Sequence, residues 1–120
     1  MTQLNNHNVG SLSAAVETPI YDRQAVTPGI VHIGVGGFHR AHQAMYVDAL
    51  MNQGEALDWG IVGVGVMPGD KRMQQALAAQ DYLYTLVVKH PNGEYQPRVI
   101  GSMVNYLFAP EDPEAVIETM

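Results

Sequence analysis

A β-branched apolar run that breaks into three glycines and then enters a stretch free of glycine and proline leaves a chain few folding options. Residues 30–46 read IVHIGVGGFHRAHQAMY. The order is strand, glycine-rich turn, helix. That order suits a dinucleotide-binding turn, because glycines let the backbone approach a pyrophosphate and the following helix offers its free N–H groups to the anion. Gly34 and Gly36 occupy the first two positions of a GxGxxG pattern, and His39 stands in the third. The apolar run itself suits a strand buried on both faces, as in a parallel sheet. His32 lies within it and reads as a hydrogen-bonded core residue rather than a ligand.

Composition removes several function classes. A hydrophobic content of 47% and a charged content of 15% over 120 residues describe one folded domain with a core. Twelve acids against six Lys and Arg give a net charge of -6, with no basic cluster to neutralise a phosphate backbone, so nucleic acid is not expected as a partner. The absence of cysteine excludes disulfides and thiolate metal sites. No basic-then-apolar leader opens the chain, and no apolar run nears the ~20 residues of a membrane span. A cytoplasmic protein without a membrane partner is the expectation.

Along the chain, residues 1–29 form an N-terminal arm, with at most a helical turn over residues 11–16. The first strand covers residues 30–35, and a helix is expected over residues 41–53, stopped by Gly54. Residues 61–66, IVGVGV, form a second strand with its own GxG at Gly63 and Gly65. That pair sits inside the apolar run and is followed by Pro68-Gly69, so the first GxG is the better phosphate turn. The glycines of the second strand clear space for a ligand or a packed helix. Asp70, at the end of this strand, has two readings. It accepts from adenosine ribose hydroxyls, or it caps the helix expected over residues 71–80. Residues 82–89 and 94–103 read as a hairpin around Asn92-Gly93, with Pro97 marking an edge. Asp112-Pro113 opens a last helix. This is an α/β parallel sheet with a hairpin insertion. It has two parallel strands where a mononucleotide unit needs three, so it reads as incomplete, an N-terminal fragment of a longer chain.

The string GVGGFHRAHQ, with DWGIVGVGVMPGD, QDYLYTL and RVIGSM after it, resembles the N-terminal region of the mannitol dehydrogenase family. These are long-chain polyol dehydrogenases and reductases whose signature has the form GxGxFHRAHQ. The resemblance implies a Rossmann-type domain, with residues 30–120 as its first part, binding NAD. Its cofactor-binding residues would be Ile33, Gly34, Gly36, Gly37, Phe38, His39, Arg40, Ala41, His42 and Asp70. Gly69 stands where some relatives carry a second acid, which leaves strictness between NAD and NADP open. The implied reaction is metal-free hydride transfer between NAD(H) and a polyol or ketose. Mannitol to fructose is the leading case, and fructuronate (mannonate) reduction is the alternative. The implied general acid/base is a lysine in a C-terminal substrate domain of the same full-length chain. No catalytic residue is therefore expected before position 120, and the 120 residues alone are expected to be inactive.

Three alternatives accompany these expectations. The chain could be a non-catalytic module that only senses NAD(H). His39 and His42, three apart, could ligate zinc, but no third ligand is in evidence and no metal is expected. Arg40 either pairs with a cofactor phosphate or forms a structural ion pair with an acid such as Asp48.

Overall fold

The computed structural model describes residues 3–12 and 15–120. The helical turn expected over residues 11–16 includes positions 13 and 14 and lies outside them. Single 3-10 turns occupy Val9–Ser11 and Arg23–Ala25. The chain then forms β1 (Pro28–Ile33), α1 (Gly37–Ala41), α2 (Gln43–Asn52), β2 (Gly60–Gly65) and α3 (Asp70–Ala78). It continues with β3 (Tyr84–Lys89), β4 (Tyr95–Ile100), β5 (Met103–Phe108) and α4 (Pro113–Thr119). Strands β1, β2 and β5 form one parallel sheet in that order, and β3 with β4 forms a separate antiparallel hairpin.

The third parallel strand is therefore present, contrary to the expectation from sequence. Residues 94–103 are not one continuous strand: the chain leaves the hairpin after Ile100 and re-enters the sheet at Met103. The switch occurs at Gly101-Ser102. A Cβ on Gly101 would lie 2.9 Å from both Pro19 and the Tyr21 hydroxyl, so the bare backbone is what lets the arm cross here. Ser102 is buried, and its hydroxyl donates to the Ala44 carbonyl at 2.6 Å.

Burial also departs from expectation. Every residue of β2 is buried, as a central strand requires. By contrast β1 is half-buried at best and Ile33 is 58% exposed, because β1 lies at an edge of the sheet among the described residues. The core is Val35, Ala44, Ile61, Leu77, Tyr84, Ile100, Met103 and Tyr106, drawn from the turn, α2, α3 and all the strands except β1. The last helix begins as anticipated, with Asp112 accepting from the Ala115 N–H at 3.1 Å and Pro113 in the first turn.

The helix expected over residues 41–53 is α2, and a separate short helix, α1, precedes it; the two break at His42 (φ -121°, ψ -79°). The backbone N–H of His42 donates to the Phe38 carbonyl at 3.0 Å, and its ring Nδ1 lies 2.9 Å from the same oxygen. The side chain thus competes for the carbonyl that ends α1 and fixes the break there. No helix among the described residues is long and apolar enough to cross a membrane.

Candidate functional site

The glycine turn sits at the carboxyl end of β1, beside the carboxyl end of β2. The Gly34 N–H donates to the Val64 carbonyl at 2.7 Å and ties the two ends together. Gly34 has φ +90°, a conformation that only glycine adopts without strain. At Gly36 and Gly37 a Cβ would meet nothing within 4 Å. Their missing side chains relieve no crowding within the protein, so they leave open ground in front of the backbone. The N–H groups of Gly37, Phe38 and His39 open α1 and have no carbonyl one turn earlier to bind. An open glycine ledge faced by free N–H groups can accept an anion in close contact.

The side chains around the ledge divide sharply. Phe38 is 80% exposed and stacks on His42, with centroids 4.3 Å apart. His39 is buried and stacks on His32 at 3.7 Å, with its Nδ1 3.1 Å from Gln43 Oε1. His39 and His42, the pair that could have ligated zinc, therefore face different neighbours. Among the described residues no group of three His, Cys, Asp or Glu could hold a metal. His32 is only half-buried, and its Nδ1 is 2.7 Å from the Gly34 carbonyl. It is hydrogen-bonded, as expected, but it braces the turn rather than filling the core. Ile33 is the last residue of β1, just before the ledge, and Ala41 is the last residue of α1.

Arg40 keeps its guanidinium available. Its Nε reaches the Gly36 carbonyl at 3.3 Å, and its own carbonyl accepts from the Tyr84 hydroxyl at 2.6 Å. Its structural alternative, an ion pair with Asp48, does not form: Asp48 pairs with Arg98 at 2.9 Å. Arg40 has no ion pair among the described residues, which leaves it the cation that a phosphate on the ledge would meet.

Asp70 is the first residue of α3 rather than its cap. Its Oδ2 accepts from the N–H groups of Val66 and Met67, at 3.1 and 3.0 Å, which closes the turn after β2 and orients the carboxylate. Both bonds use one oxygen, so Oδ1 remains to accept from a ligand hydroxyl. The Tyr106 hydroxyl lies nearby, and burial followed by the Asp70 charge raises its pKa. Gly65 accommodates both groups, since a Cβ there would collide with the Tyr106 hydroxyl and lie 2.6 Å from Asp70 Cβ.

Asp48, expected at most as a partner of Arg40, is instead the centre of a buried network. Fully buried on α2, its Oδ1 accepts from the Tyr21 hydroxyl (2.5 Å) and the Gly101 N–H (2.9 Å). Its Oδ2 accepts from Arg98 (2.9 Å) and the Asn52 amide (3.4 Å). A polar residue blurring the apolar face of a helix was the available signal, because a buried carboxylate demands partners. The arm completes the clamp: Arg23 donates to the carbonyls of Gly101 (3.1 Å) and Met103 (2.8 Å).

Comparison with known proteins agrees with this geometry. The family model of the mannitol dehydrogenase Rossmann domain matches residues 28–120. A mannitol 2-dehydrogenase of Cereibacter sphaeroides is 53% identical over 91% of this chain and 23% of its own length. One from Neosartorya fischeri is 50% identical over 98% of this chain and 24% of its own. Among solved structures, a Pseudomonas fluorescens mannitol 2-dehydrogenase in ternary complex with NAD and D-mannitol superposes with a TM-score of 0.93 at 47% identity. A D-sorbitol dehydrogenase superposes at 0.90 with 42% identity. Each of these two matches covers 98% of this chain and 24% of the other. The chain thus spans about a quarter of the length of the relatives it matches.

Proposed function

The chain belongs to the mannitol dehydrogenase family, and from that premise we propose that it grips NAD(H) for hydride exchange with a polyol, mannitol first among them. In this reading residues 1–29 are an N-terminal arm, and residues 30–120 are the first part of the NAD-binding domain. The observation that carries it is the ledge: Gly36 and Gly37 leave open space before free N–H groups, beside a strand end that presents Asp70. Ile33, Gly34, Gly36, Gly37, Phe38, His39, Arg40, Ala41 and His42 would surround the pyrophosphate, and Asp70 Oδ1 would accept from the adenosine ribose. The negative Asp70 disfavours a 2′-phosphate, which supports NAD over NADP. Bound there, the cofactor would supply the hydride acceptor. This chain's residues bind and orient it. The groups that handle the polyol are assigned to the remaining three-quarters of a full-length protein like its relatives, and the 120 residues alone are expected to bind without turnover. That both structural neighbours are named for polyols favours a polyol over a uronate substrate.

The test is calorimetric titration of NADH into the wild-type chain and Gly36→Ala. Gly36 has φ -85°, which alanine tolerates, and its Cβ meets no protein atom. The substitution should leave the melting temperature within about 2 °C while weakening binding at least tenfold, a loss of about 1.4 kcal/mol. Equal affinity in the two proteins would refute the ledge as the cofactor site. Turnover of mannitol by the 120-residue chain would refute the assignment of the chemistry elsewhere.

A further inference from the structure

The His32–His39 stack does more than fill space. The two rings lie 3.7 Å apart and 21° from parallel, one on β1 and one on α1, and between them runs the glycine ledge. Each Nδ1 faces a carbonyl-type oxygen, Gly34 O for His32 and Gln43 Oε1 for His39, so each Nδ1 carries a proton and donates. That leaves Nε2 of His39 as a bare acceptor, buried and without a partner among the described residues. A proton placed on it would be buried with nothing to receive its hydrogen bond. The surrounding charges offer no relief. From β1 comes His32 and from its own helix Arg40, both opposing a second positive charge; α2 presents only the Gln43 amide, whose hydrogen bond favours the cation. From β3 comes Tyr84, whose hydroxyl is committed to the Arg40 carbonyl. Burial, ahead of these charges, holds His39 below the ordinary imidazole range.

We propose that His32 and His39 are positioning residues for the cofactor turn, and that acidification opens the stack and releases NAD(H). This rests on the reading of the ledge as the cofactor site. The sign follows from linkage. A turn with the stack open accepts a proton on His39 near the usual value of about 6.5, while the closed turn resists it, so closure is favoured above that value and loses ground as pH falls. The loss is bounded by about tenfold per pH unit below about 6.5.

Two measurements separate this inference from the reading beneath it. Long-range imidazole ¹H–¹⁵N spectra of the cofactor-free chain report the tautomer directly, and His39 should keep the Nδ1–H form below pH 6.5. NADH affinity of the wild type, titrated from pH 8 to pH 5, should fall several-fold, whereas that of His39→Gln, which has no charge to gain, should change by less than twofold. His32→Phe retains a ring over His39 and removes an imidazole that opposes its charge, so its fall in affinity should begin at the same pH and be smaller than that of the wild type. No NADH binding at pH 8 by the wild type would refute the cofactor reading, and the spectra would still decide the stack. A wild-type affinity flat from pH 8 to pH 5, an equal fall in His39→Gln, or a His39 that protonates at about 6.5 would overturn the inference.

Discussion

Asp48→Asn is the most informative perturbation of the fold, because it removes a charge and almost no volume. An asparagine has one acceptor oxygen where the carboxylate has two. If its amide replaces Oδ1, the Tyr21 hydroxyl can turn to accept but the Gly101 N–H cannot. If it replaces Oδ2, the Asn52 amide can flip but Arg98 cannot, and a cation loses its acceptor. The second arrangement is cheaper, since the Arg98 side chain is 18% exposed and reaches some water. A lost partner for a buried donor costs about 1–3 kcal/mol and a broken buried ion pair about 3–5. Partial hydration of Arg98 places the sum near 3 kcal/mol. Domains of this size hold about 5–15 kcal/mol in all, so the variant folds but is visibly weakened. Urea unfolding followed by circular dichroism should show the midpoint falling by about 1–3 M at constant slope. Lys71→Ala is the control: the Lys71–Glu111 pair is exposed and should be worth under about 1 kcal/mol. A midpoint for Asp48→Asn no lower than that of Lys71→Ala would refute the claim that Asp48 is the hub of the clamp.

Arg40→Ala should raise the Kd for NAD(H) with little change in the cofactor-free melting temperature, because the guanidinium makes no ion pair within the described residues; a lowered melting temperature with unchanged affinity would assign it a structural role. Of the six tyrosines, Tyr21, Tyr84 and Tyr106 have raised pKa values, each chiefly through burial. Their unfolded counterparts ionise near 10 and the folded ones resist, so this contribution to stability is complete below about pH 10 and lost as pH rises beyond it. Absorbance at 295 nm should therefore show three tyrosines ionising only with unfolding, and a melting temperature unchanged between pH 9 and pH 11.5 would contradict it.

The parts legible in the sequence were those set by local chemistry. Residues 30–46 announced strand, turn and helix because apolar run, glycines and helix formers stand next to one another. Asp112-Pro113 announced a helix start for the same reason. What escaped depended on distant partners. Met103–Phe108 is apolar but for Asn105, yet the residues before it belong to a hairpin, and only the arm crossing at Gly101 shows where one strand stops and the next begins. The role of Asp48 escaped because its four donors come from the arm, its own helix, β4 and the switch at Gly101. The break at His42 turned on a ring nitrogen finding a carbonyl four residues back, which spacing permits but does not require. Within the site, the ledge was legible and its bracing was not: nothing local says that His32 reaches His39.

The two GxG sequences show why a glycine's meaning lies in what its absent Cβ would touch. At Gly34 the reason is conformational, at Gly36 it is vacancy, and at Gly63 and Gly65 it is packing. The last two are linked to the first turn. A Cβ on Gly63 would lie 2.6 Å from Val35 Cγ2 and 3.2 Å from the Tyr106 ring, and Val35 is the residue between Gly34 and Gly36 of the first glycine turn. The second GxG thus seats the first. Gly63→Ala should push Val35, destabilise the fold through overpacking by about 1–3 kcal/mol with a matching drop in melting temperature, and weaken NADH binding as the ledge shifts. Gly36→Ala should weaken binding alone. If Gly63→Ala lost stability while keeping full affinity, Val35 would be free to move without the ledge, and the two strand ends would not form one rigid seat.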